Sequence, residues 1–376
     1  MKYFFKISLI FVTLASIISC RSSFEVDVDR IDVADEKATD ETKLLYHNIR
    51  EIAKKGIAFG HQDATAYGIG WQHEDDPSQL KSDIKEVAGK FPAVHGFDIG
   101  HIELGNAYNL DTVSFALMKD HIQQIHRRGG IITMSWHIDN PVTNGDSWDA
   151  TPAVRSVLKG GAEREKFELW IQRLSNFLNS LKGENNKSIP VVFRPWHEMN
   201  GGWFWWGAGS TTPEDYKQLW RETMELLKRN NVHNLLYAYS PNTLSSEEDF
   251  DIYYPGDEYV DIMGVDIYNH SGNEAFTQSV KGNLEILQKK SAVNGKPYAL
   301  TESGNNNFGE DKFWWTETLY PGIKNSGISW VLLWRNDRPA HYFSTYPGEI
   351  SEEDFRKFSK LDEILFLDEV EEITHK

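Results

Sequence analysis

Carboxylate side chains at the ends of two strand-like segments are the groups of this chain best suited to chemistry. Glu198 follows the run 190–194, and Glu302 closes the run that begins at Tyr298. A buried carboxylate is unfavourable without a partner, so repeated strand-end acids predict one shared polar pocket. Two facing carboxyl groups, one protonated and one ionised, can hydrolyse a glycosidic bond. We expect Glu198 and Glu302 to form such a pair, although either one alone would also fit a structural ion pair.

An aromatic loop follows the first of these acids. Residues 203–206 read Trp-Phe-Trp-Trp and are flanked by Gly202 and Gly207. Aromatic faces bury apolar area against the C–H faces of sugar rings without requiring a charged ligand. We expect two of the four rings to face the core, Trp205 first among them, and the others to face a ligand.

Histidines at strand ends suggest an alternative chemistry, a zinc site. His61, His137 and His197 all follow predicted strands, and Asp98 or Asp266 could complete the ligand set. The sequence has neither a His-Glu-x-x-His motif nor a Gly-x-Ser-x-Gly elbow, so metalloprotease and serine-hydrolase sites are not indicated. We therefore predict a site that uses no metal and no cofactor.

Charge and cysteine content exclude further classes of function. The chain has 39 basic and 56 acidic residues and a formal net charge of −17, which repels nucleic acid and anionic membrane surfaces. A Gly-rich phosphate-binding loop is also absent from the sequence, so no nucleic acid or nucleotide partner is expected. Cys20 is the single cysteine, and an intrachain disulfide is therefore impossible.

Alternating strand and helix patterns must position these residues. Eight apolar, β-branched runs predict strands, and segments of 3.6-residue periodicity predict the helices between them. Eight such units predict an α/β fold, a (β/α)8 TIM barrel, whose strands deliver their C-terminal residues to one face. The alternative, an open doubly wound sheet, would be expected with a dinucleotide fingerprint that this chain lacks. The predicted strands are 57–61, 93–99, 131–137, 190–194 with a continuation toward Glu198, 235–240, 260–268, 298–302 and 328–334.

Capping residues refine the helix predictions. Thr212 precedes Pro213 and is expected to cap the helix that follows, because threonine suits the N-cap and proline the first helical position. Ser351 is expected to cap a last helix in the same way. The other predicted helices are 41–55, 113–126, 163–181, 274–292 and 313–324.

The N-terminus predicts export. Lys2 and Lys6 precede an apolar stretch that is too short to span a bilayer, and Ile17-Ile18-Ser19-Cys20 resembles a bacterial lipoprotein signal. We expect residues 1–19 to be a signal peptide and Cys20 to carry a lipid that anchors the protein to a bacterial membrane, periplasmic or on the cell surface. An ordinary secretory signal is the alternative. Residues 20–40 are expected to form a solvated acidic tether, 41–376 the catalytic barrel, and 368–372 a solvated tail.

The residues around both acids carry a family resemblance. Residues 194–207, Arg-Pro-Trp-His-Glu-Met-Asn-Gly-Gly-Trp-Phe-Trp-Trp-Gly, resemble the acid/base segment of glycoside hydrolase family 26, the β-mannanases. Thr301-Glu302-Ser303-Gly304 resembles the nucleophile segment of that family. Shorter matches are 59–62, 96–98, 135–137, 264–268 and 334–335, so the resemblance spans about residues 40–365. Met199-Asn200 is a mild departure from the family's pattern that leaves the catalytic roles intact.

The resemblance implies a retaining enzyme that acts on β-1,4-mannan polysaccharide or oligosaccharide, with Glu198 as general acid/base and Glu302 as nucleophile. Tyr268 is implied to hydrogen-bond the nucleophile. The residues implied to bind or position the substrate are His137, Trp148, Arg194, His197, Trp203, Asp266, Tyr268, Trp334 and Arg335. A monomer is expected. A β-glucan (lichenan) or xylan hydrolase of the same barrel and a non-catalytic glycan-binding lipoprotein remain alternatives, and internal versus mannobiose-releasing cleavage stays open.

Overall fold

The computed structural model describes residues 26–72, 80–305 and 308–374. The predicted signal peptide and Cys20 lie outside these residues. Each of eight parallel strands pairs with the next along the chain, and the last pairs with the first, so the barrel is closed and the (β/α)8 prediction is confirmed. The strands are β1 (Ile57–Gln62), β2 (Val94–Asp98), β3 (Ile131–Ser135), β4 (Val191–Arg194), β5 (Leu235–Tyr239), β6 (Ile262–Tyr268), β7 (Tyr298–Gly304) and β8 (Trp330–Leu333).

Helices lie between the strands. They are α1 (Asp40–Ala53), α2 (Asp83–Ala88), α3 (Phe115–Arg127), α4 (Arg164–Ser180), α5 (Pro213–Arg229), α6 (Glu247–Tyr253), α7 (Asn273–Asn294), α8 (Glu352–Phe358) and α9 (Leu367–Thr374). The helix predicted at 313–324 is a π-helix, Trp314–Leu319, that runs into the single turn Tyr320–Ile323. Among the residues described, none of the helices has the length and apolar character needed to cross a membrane.

The two capping predictions have different outcomes. Thr212 Oγ1 accepts a hydrogen bond from the Asp215 amide, so the predicted cap of α5 is confirmed. Ser351 makes no capping hydrogen bond, so its predicted role is wrong. Its hydroxyl instead accepts from Trp315 Nε1 and donates to Glu349, which fixes α8 against the π-helix.

The apolar core forms two layers on the two faces of the strands. Val192, Leu236 and Ile262 point into the barrel, whereas their neighbours Phe193 and Tyr237 point outward beneath the helices. This alternation follows from the two-residue period of a strand. Helices α1 and α9 close the N-terminal end of the barrel, since their apolar residues belong to the inner layer. Polar side chains therefore have room only at the opposite, C-terminal end.

The first and the last described segments of the chain both pack against the N-terminal end of the barrel. The Ala34 amide donates to Asp261 Oδ1 at 2.7 Å, and Asp35 pairs with His233 at 2.8 Å. Residues 31–39 therefore form a docked arm, which corrects the predicted solvated tether over this part of 20–40. Residues 368–372, predicted as a solvated tail, lie within α9, and Val370 is fully buried there. The acidic composition of both segments suggested solvation because their specific partners cannot be read from composition.

Candidate active site

Glu198 reaches the barrel mouth on a turn. Strand β4 ends at Arg194, so the predicted continuation toward Glu198 is wrong. Trp196 and Glu198 both have φ of 54°, in the left-handed region, which costs a residue with a side chain about 1–3 kcal/mol. The Glu198 amide donates to the Ser240 carbonyl at 2.8 Å, which ties the turn to the end of β5. This strained, anchored backbone fixes the direction of the Glu198 side chain.

Glu302 enters the barrel through a bulge in β7. Val265 of β6 pairs with Leu300, but the next residue of β6, Asp266, pairs with Glu302, so β7 has one extra residue at this point. The register between β7 and β8 shifts at the same place. Leu300 points outward into the outer core, so simple alternation would send Glu302 outward as well. The extra residue reverses the alternation, as bulges beside active sites often do. Thr301 and Glu302 therefore both contribute side chains to the mouth of the barrel.

The two acids converge in one pocket. Single carboxylate oxygens of Glu198, Asp266 and Glu302 lie within 4.8 Å of one another. Asn242 Nδ2 donates to Glu198 Oε1 and Trp203 Nε1 donates to Glu198 Oε2, both at 2.9 Å. Glu198 and Glu302 are buried, with exposed fractions of 9% and 4%. The pocket is therefore a polar cluster largely withdrawn from water.

Hydrogen-bond donors surround Glu302. The Tyr268 hydroxyl donates to Glu302 Oε2 at 2.9 Å, as the sequence resemblance implied, and Arg194 Nη2 donates to Glu302 Oε1. Arg194 also pairs with Asp266 Oδ2 at 2.9 Å and donates to Ser240 Oγ at 3.1 Å. All of these donors suit a carboxylate anion at Glu302, since charge-assisted hydrogen bonds favour the ionised acceptor.

One group of described residues could offer three ligand atoms to a metal ion: Glu198, Asp266 and Glu302. Arg194 occupies one oxygen of Asp266 and one of Glu302, so its guanidinium already supplies positive charge to the cluster. Among the described residues, His61, His137 and His197 do not form a three-ligand group with Asp98 or Asp266, although His137 and His197 are neighbours. His61 instead pairs with His95 across β1 and β2.

The protonation of Glu198 differs from that of an ordinary glutamate. Burial, and secondly the nearby charge of Glu302, raise the pKa of Glu198 to about 7, against smaller opposing effects of Asn242 and Trp203. A carboxyl group with such a pKa remains partly protonated at neutral pH, which is the state that a general acid needs. The environments of the two acids thus favour different protonation states.

Two histidines extend the pocket. His137 Nδ1 lies 2.6 Å from Asp98 Oδ2, and although burial opposes it, this carboxylate raises the pKa of His137. His197 lies 3.3 Å away, between the Nε2 atoms, and burial together with the charges of His137 and Arg194 lowers its pKa well below the usual value. The two environments therefore favour the charged form of His137 and the neutral form of His197. Trp148, half exposed, stacks on His137 with ring centroids 5.0 Å apart.

The aromatic loop is more buried than predicted. Phe204, Trp205 and Trp206 are all buried, so three rings face the core and not two. Trp205 Nε1 and Trp206 Nε1 donate to backbone carbonyls of Ile138 and His197, which explains why such polar-tipped rings can be buried. Trp203 alone is 39% exposed, and it is the ring that contacts Glu198.

Trp334 and Arg335, which directly follow β8, lie in different parts of the barrel mouth. The Trp334 ring lies 6.1 Å from the His137 ring, within the cluster. Arg335 turns away, and its guanidinium contacts Asp111 Oδ1 at 3.1 Å and the Tyr67 hydroxyl at 3.3 Å. Arg335 therefore belongs to the rim of the mouth, where its charge is directed at acids other than the catalytic pair.

Asn242 is the main site residue that was not predicted. It follows β5 in Ser240-Pro241-Asn242, and a polar residue after a strand is the same signal that identified the other site residues. The sequence prediction assigned no site residue to the end of β5, although this signal is present there. Ser240, from the same segment, donates to Asp266 Oδ1 at 2.7 Å.

Comparison with known proteins agrees with this geometry. A family model described as "Glycosyl hydrolase family 26" matches residues 34–303. A mannan endo-1,4-β-mannosidase of Bifidobacterium adolescentis is 30% identical over 88% of this chain, and one of Bacillus subtilis is 31% identical over 59%. This chain spans only 35% and 60% of the length of these two relatives.

Solved structures of family 26 mannanases are also similar to this chain. A family 26 β-mannanase from Bacteroides ovatus superposes with a TM-score of 0.85 at 45% identity, covering 88% of this chain and 97% of that one. A modular endo-β-1,4-mannanase from Cellulomonas fimi superposes with a TM-score of 0.81 at 32% identity, covering 90% and 78%. The similarity includes both strand ends that carry the buried acids.

Proposed function

The chain belongs to glycosyl hydrolase family 26, and from this premise we propose that it cleaves β-1,4-mannosidic bonds of mannan, galactomannan or glucomannan with retention of configuration. The relatives named above are mannan endo-1,4-β-mannosidases, and the chain shares their fold along most of its own length. The substrate class rests on this similarity, and the reaction type on the geometry of the acids.

The observation that carries the proposal is the short separation of Glu198 and Glu302. Their nearest carboxylate oxygens lie within 4.8 Å of each other. Retaining glycosidases separate their carboxyl groups by about 5–5.5 Å, whereas inverting enzymes need roughly 6.5–9.5 Å to admit a water. The separation favours direct attack by one carboxylate on the sugar.

The two carboxyl groups would act in sequence. Glu302 attacks the anomeric carbon as the glycosidic C–O bond breaks, and Glu198 gives its proton to the leaving oxygen. The ester formed at Glu302 carries no charge, so one cause of the raised pKa of Glu198 disappears. Glu198 then takes a proton from water, whose oxygen attacks the same carbon and releases Glu302 as a carboxylate.

Tyr268 and Arg194 would orient the nucleophile during both steps. Each donates to a different oxygen of Glu302, which fixes the plane of the carboxylate. The exposed face of Trp203 lies beside Glu198 and offers a surface for a sugar ring next to the cleaved bond. Truncation of this ring is expected to weaken substrate binding more than folding.

We predict that Glu302→Ala lowers kcat on linear mannan by about 10⁴-fold or more, because the covalent step loses its nucleophile. Glu285→Ala, which removes an exposed glutamate of α7, is the matched control and should retain parental activity. Proton NMR of the first products of the parent enzyme should show the β-anomer before mutarotation. Initial α-anomer would refute retention, and parental turnover by Glu302→Ala would refute the assignment of the pair.

Substrate class is tested separately with linear mannan, galactomannan, glucomannan, lichenan and xylan. Faster release of reducing sugar from the mannans is the expected result. Faster cleavage of lichenan or xylan would support the alternative polysaccharides, and binding without cleavage of any polymer would support a glycan-binding protein.

We also propose that the protein is an exported, lipid-anchored monomer that meets its polysaccharide outside the cytoplasm. The support is the lipoprotein-like sequence Ile17-Ile18-Ser19-Cys20. Expressed in a bacterium with its leader, the parent should partition into detergent and incorporate labelled fatty acid, whereas Cys20→Ala should not. Equal labelling of both proteins would refute lipidation at Cys20, and light scattering of the barrel without its leader tests the monomer.

A further inference from the structure

A second cavity opens on the rim of the mouth. It has a volume of about 480 Å³ and lies between the turn after β1 and the loop that joins β2 to α3. Both segments leave the C-terminal ends of their strands, so the cavity is on the same face as Glu198 and Glu302. Its volume is in the range of about 300–1,000 Å³ typical of small-ligand sites.

The lining of this cavity suits an uncharged, hydroxyl-rich ligand. Tyr67 and Tyr108 supply aromatic rings, and Asp111, Thr112 and Ser114 supply hydrogen-bonding groups. Among the described lining residues Asp111 is the one charged group, and Arg335 pairs with it, so the lining offers an anionic ligand no lysine, arginine or histidine of its own. Aromatic faces combined with hydroxyl and carboxylate groups are the chemistry that binds a sugar ring.

The loop that carries these groups is rigid. Asn109 is buried, its side-chain amide donates to the Asp98 carbonyl at 2.8 Å, and its oxygen accepts from the amides of Asp111 and Val113. Tyr108 and Ser114 face each other in an isolated antiparallel bridge. Such a loop loses little conformational entropy on binding a ligand.

Two side chains in this loop are left available. Tyr108 is 50% exposed although it is a large aromatic residue. Ser114 occupies the N-cap position of α3, yet its side chain makes no capping hydrogen bond. A serine at this position usually caps its helix, so the Ser114 hydroxyl is not used in the way that its position would lead one to expect.

Arg335 links the lining of the cavity to the residues of the catalytic pocket. Asp111 and Tyr67 line the cavity and hold the guanidinium of Arg335. Arg335 follows Trp334 directly, and the Trp334 ring lies against His137 of the catalytic cluster. A chain of sugars bound at the two acids could therefore extend along Trp334 and Arg335 into the cavity.

We propose that this cavity is an accessory subsite for a hexose unit of the substrate that is remote from the cleaved bond, with Tyr108 as its stacking platform. The inference rests on the proposed function, because the ligand belongs to the polysaccharide being cleaved. The unit is either part of the mannan main chain or a galactosyl branch, and both present the same C–H face and hydroxyl groups.

The test compares substrates that reach the cavity with one that does not. Tyr108→Ala should lower kcat/KM by about tenfold through KM on a long substrate, which is the upper end expected for loss of one aromatic stacking partner. Activity on mannotriose should stay at the parental value. Tyr108→Phe keeps the ring and should retain nearly full activity, and Leu169→Ala, which truncates a residue of equal exposure on α4, is the matched control.

The substrates on which Tyr108→Ala loses activity identify the sugar unit bound in the cavity, and they separate the subsite proposal from the proposed function. A loss on linear mannohexaose assigns a main-chain unit, and a loss on galactomannan alone assigns a branch. If the parent cleaves mannans but Tyr108→Ala matches Leu169→Ala on every substrate, the subsite is wrong and the proposed function stands. If the parent cleaves no mannan, both are wrong. Melting curves of all variants exclude unfolding as the cause of a loss.

Discussion

Glu198 and Glu302 carry the same side chain, but their neighbours give them different properties. Glu302 accepts from a guanidinium and a phenol, whereas Glu198 accepts from neutral amide and indole groups and is buried beside the negative charge of Glu302. Burial and the adjacent charge of Glu302 therefore favour the protonated form of Glu198 although its own donors oppose it, whereas the charged donors of Glu302 suit a carboxylate anion.

At this scale we predict that Asn242→Ala moves the alkaline limb of the kcat/KM profile to higher pH. Glu198 must be protonated for the first step, so activity should fall as pH rises through the pKa of about 7. The Asn242 hydrogen bond lowers that pKa, and its loss should raise the limb by up to about one pH unit, the equivalent of one hydrogen bond. A pH series of kcat/KM measures the shift.

Asn283→Ala provides the control for this experiment. Asn283 is a buried asparagine that bonds to the backbone of Leu244 and does not contact Glu198. A limb that moves equally in both variants, or moves to lower pH in Asn242→Ala, would contradict the assignment of Glu198 as the acid.

Most site residues were predictable because their signal is local. Polar residues near the ends of apolar, strand-like runs identify Glu198, Glu302 and Asp266 from the amino-acid order, whereas the role of Tyr268 was implied by the family resemblance. The partners of each residue were not predictable in this way, because Asn242 contacts Glu198 from a different strand. The prediction that two of the four rings of residues 203–206 face the core was one too few, because contacts with residues distant in the chain decide their burial.

At the scale of elements, the bulge in β7 is the feature on which the pocket depends. It turns Thr301 and Glu302 into the barrel together, and Thr301 Oγ1 then contacts Asp266 Oδ1 at 2.8 Å and Ser240 Oγ at 2.7 Å. These contacts link three strands behind Glu302. The sequence identifies β7 as a strand, but not its bulge, because register depends on both neighbouring strands.

We predict that Thr301→Val lowers both stability and kcat. Its hydroxyl lies in a buried network, and leaving those partners unsatisfied should reduce the free energy of unfolding by about 1–3 kcal/mol. Urea denaturation measures the stability, and turnover of mannan measures the effect on the pocket.

Thr133→Val is the matched control in β3. Thr133 is also buried, but its hydroxyl has no hydrogen-bond partner, so valine should be neutral or stabilising there. Equal losses in the two variants would mean that the Thr301 network contributes nothing beyond the packing of a branched side chain.

At the scale of the whole molecule, a pair of buried histidines makes stability depend on pH. His61 and His95 are cross-strand neighbours, and burial, chiefly, lowers their pKa values to about 3 and about 4. Both values lie below that of an unfolded histidine, about 6.5, so the unfolded chain binds protons more readily as pH falls. The contribution of these two neutral histidines to the free energy of unfolding is therefore complete above pH 6.5 and is lost progressively as the pH falls toward 3–4.

We predict that His95→Gln reduces this acid sensitivity. At pH 5 each histidine should cost about 2 kcal/mol relative to neutral pH, since one pKa unit corresponds to about 1.4 kcal/mol. Urea unfolding at both pH values measures the difference, and His270→Gln, which changes an exposed histidine, should leave it unchanged. If the free energy of unfolding of His95→Gln falls between neutral pH and pH 5 by as much as that of the parent, other groups cause the loss of stability in acid.

The architecture of the whole chain was the most predictable level. Eight repeats of strand and helix predict a closed barrel because each repeat carries the same two periodicities. All eight predicted strands are present within a residue or two of their predicted ends, apart from the continuation of β4 toward Glu198. The docked arm at 31–39 was not predictable, because Asp35 is acidic like its solvated neighbours and its partners His233 and Lys228 lie almost 200 residues away in the chain.

That arm has a practical consequence. Because the Ala34 amide and Asp35 are fixed at the closed end of the barrel and Val28–Arg30 contact α1, a protein shortened to begin at Val26 would present its attachment point away from the mouth. Beads, affinity tags or a fused fluorescent protein coupled there would leave the approach of a bulky polymer unobstructed. Coupling through the loops around Tyr108 or Trp203 would instead block it, so the N-terminus is the point from which to immobilise this protein as a reusable catalyst.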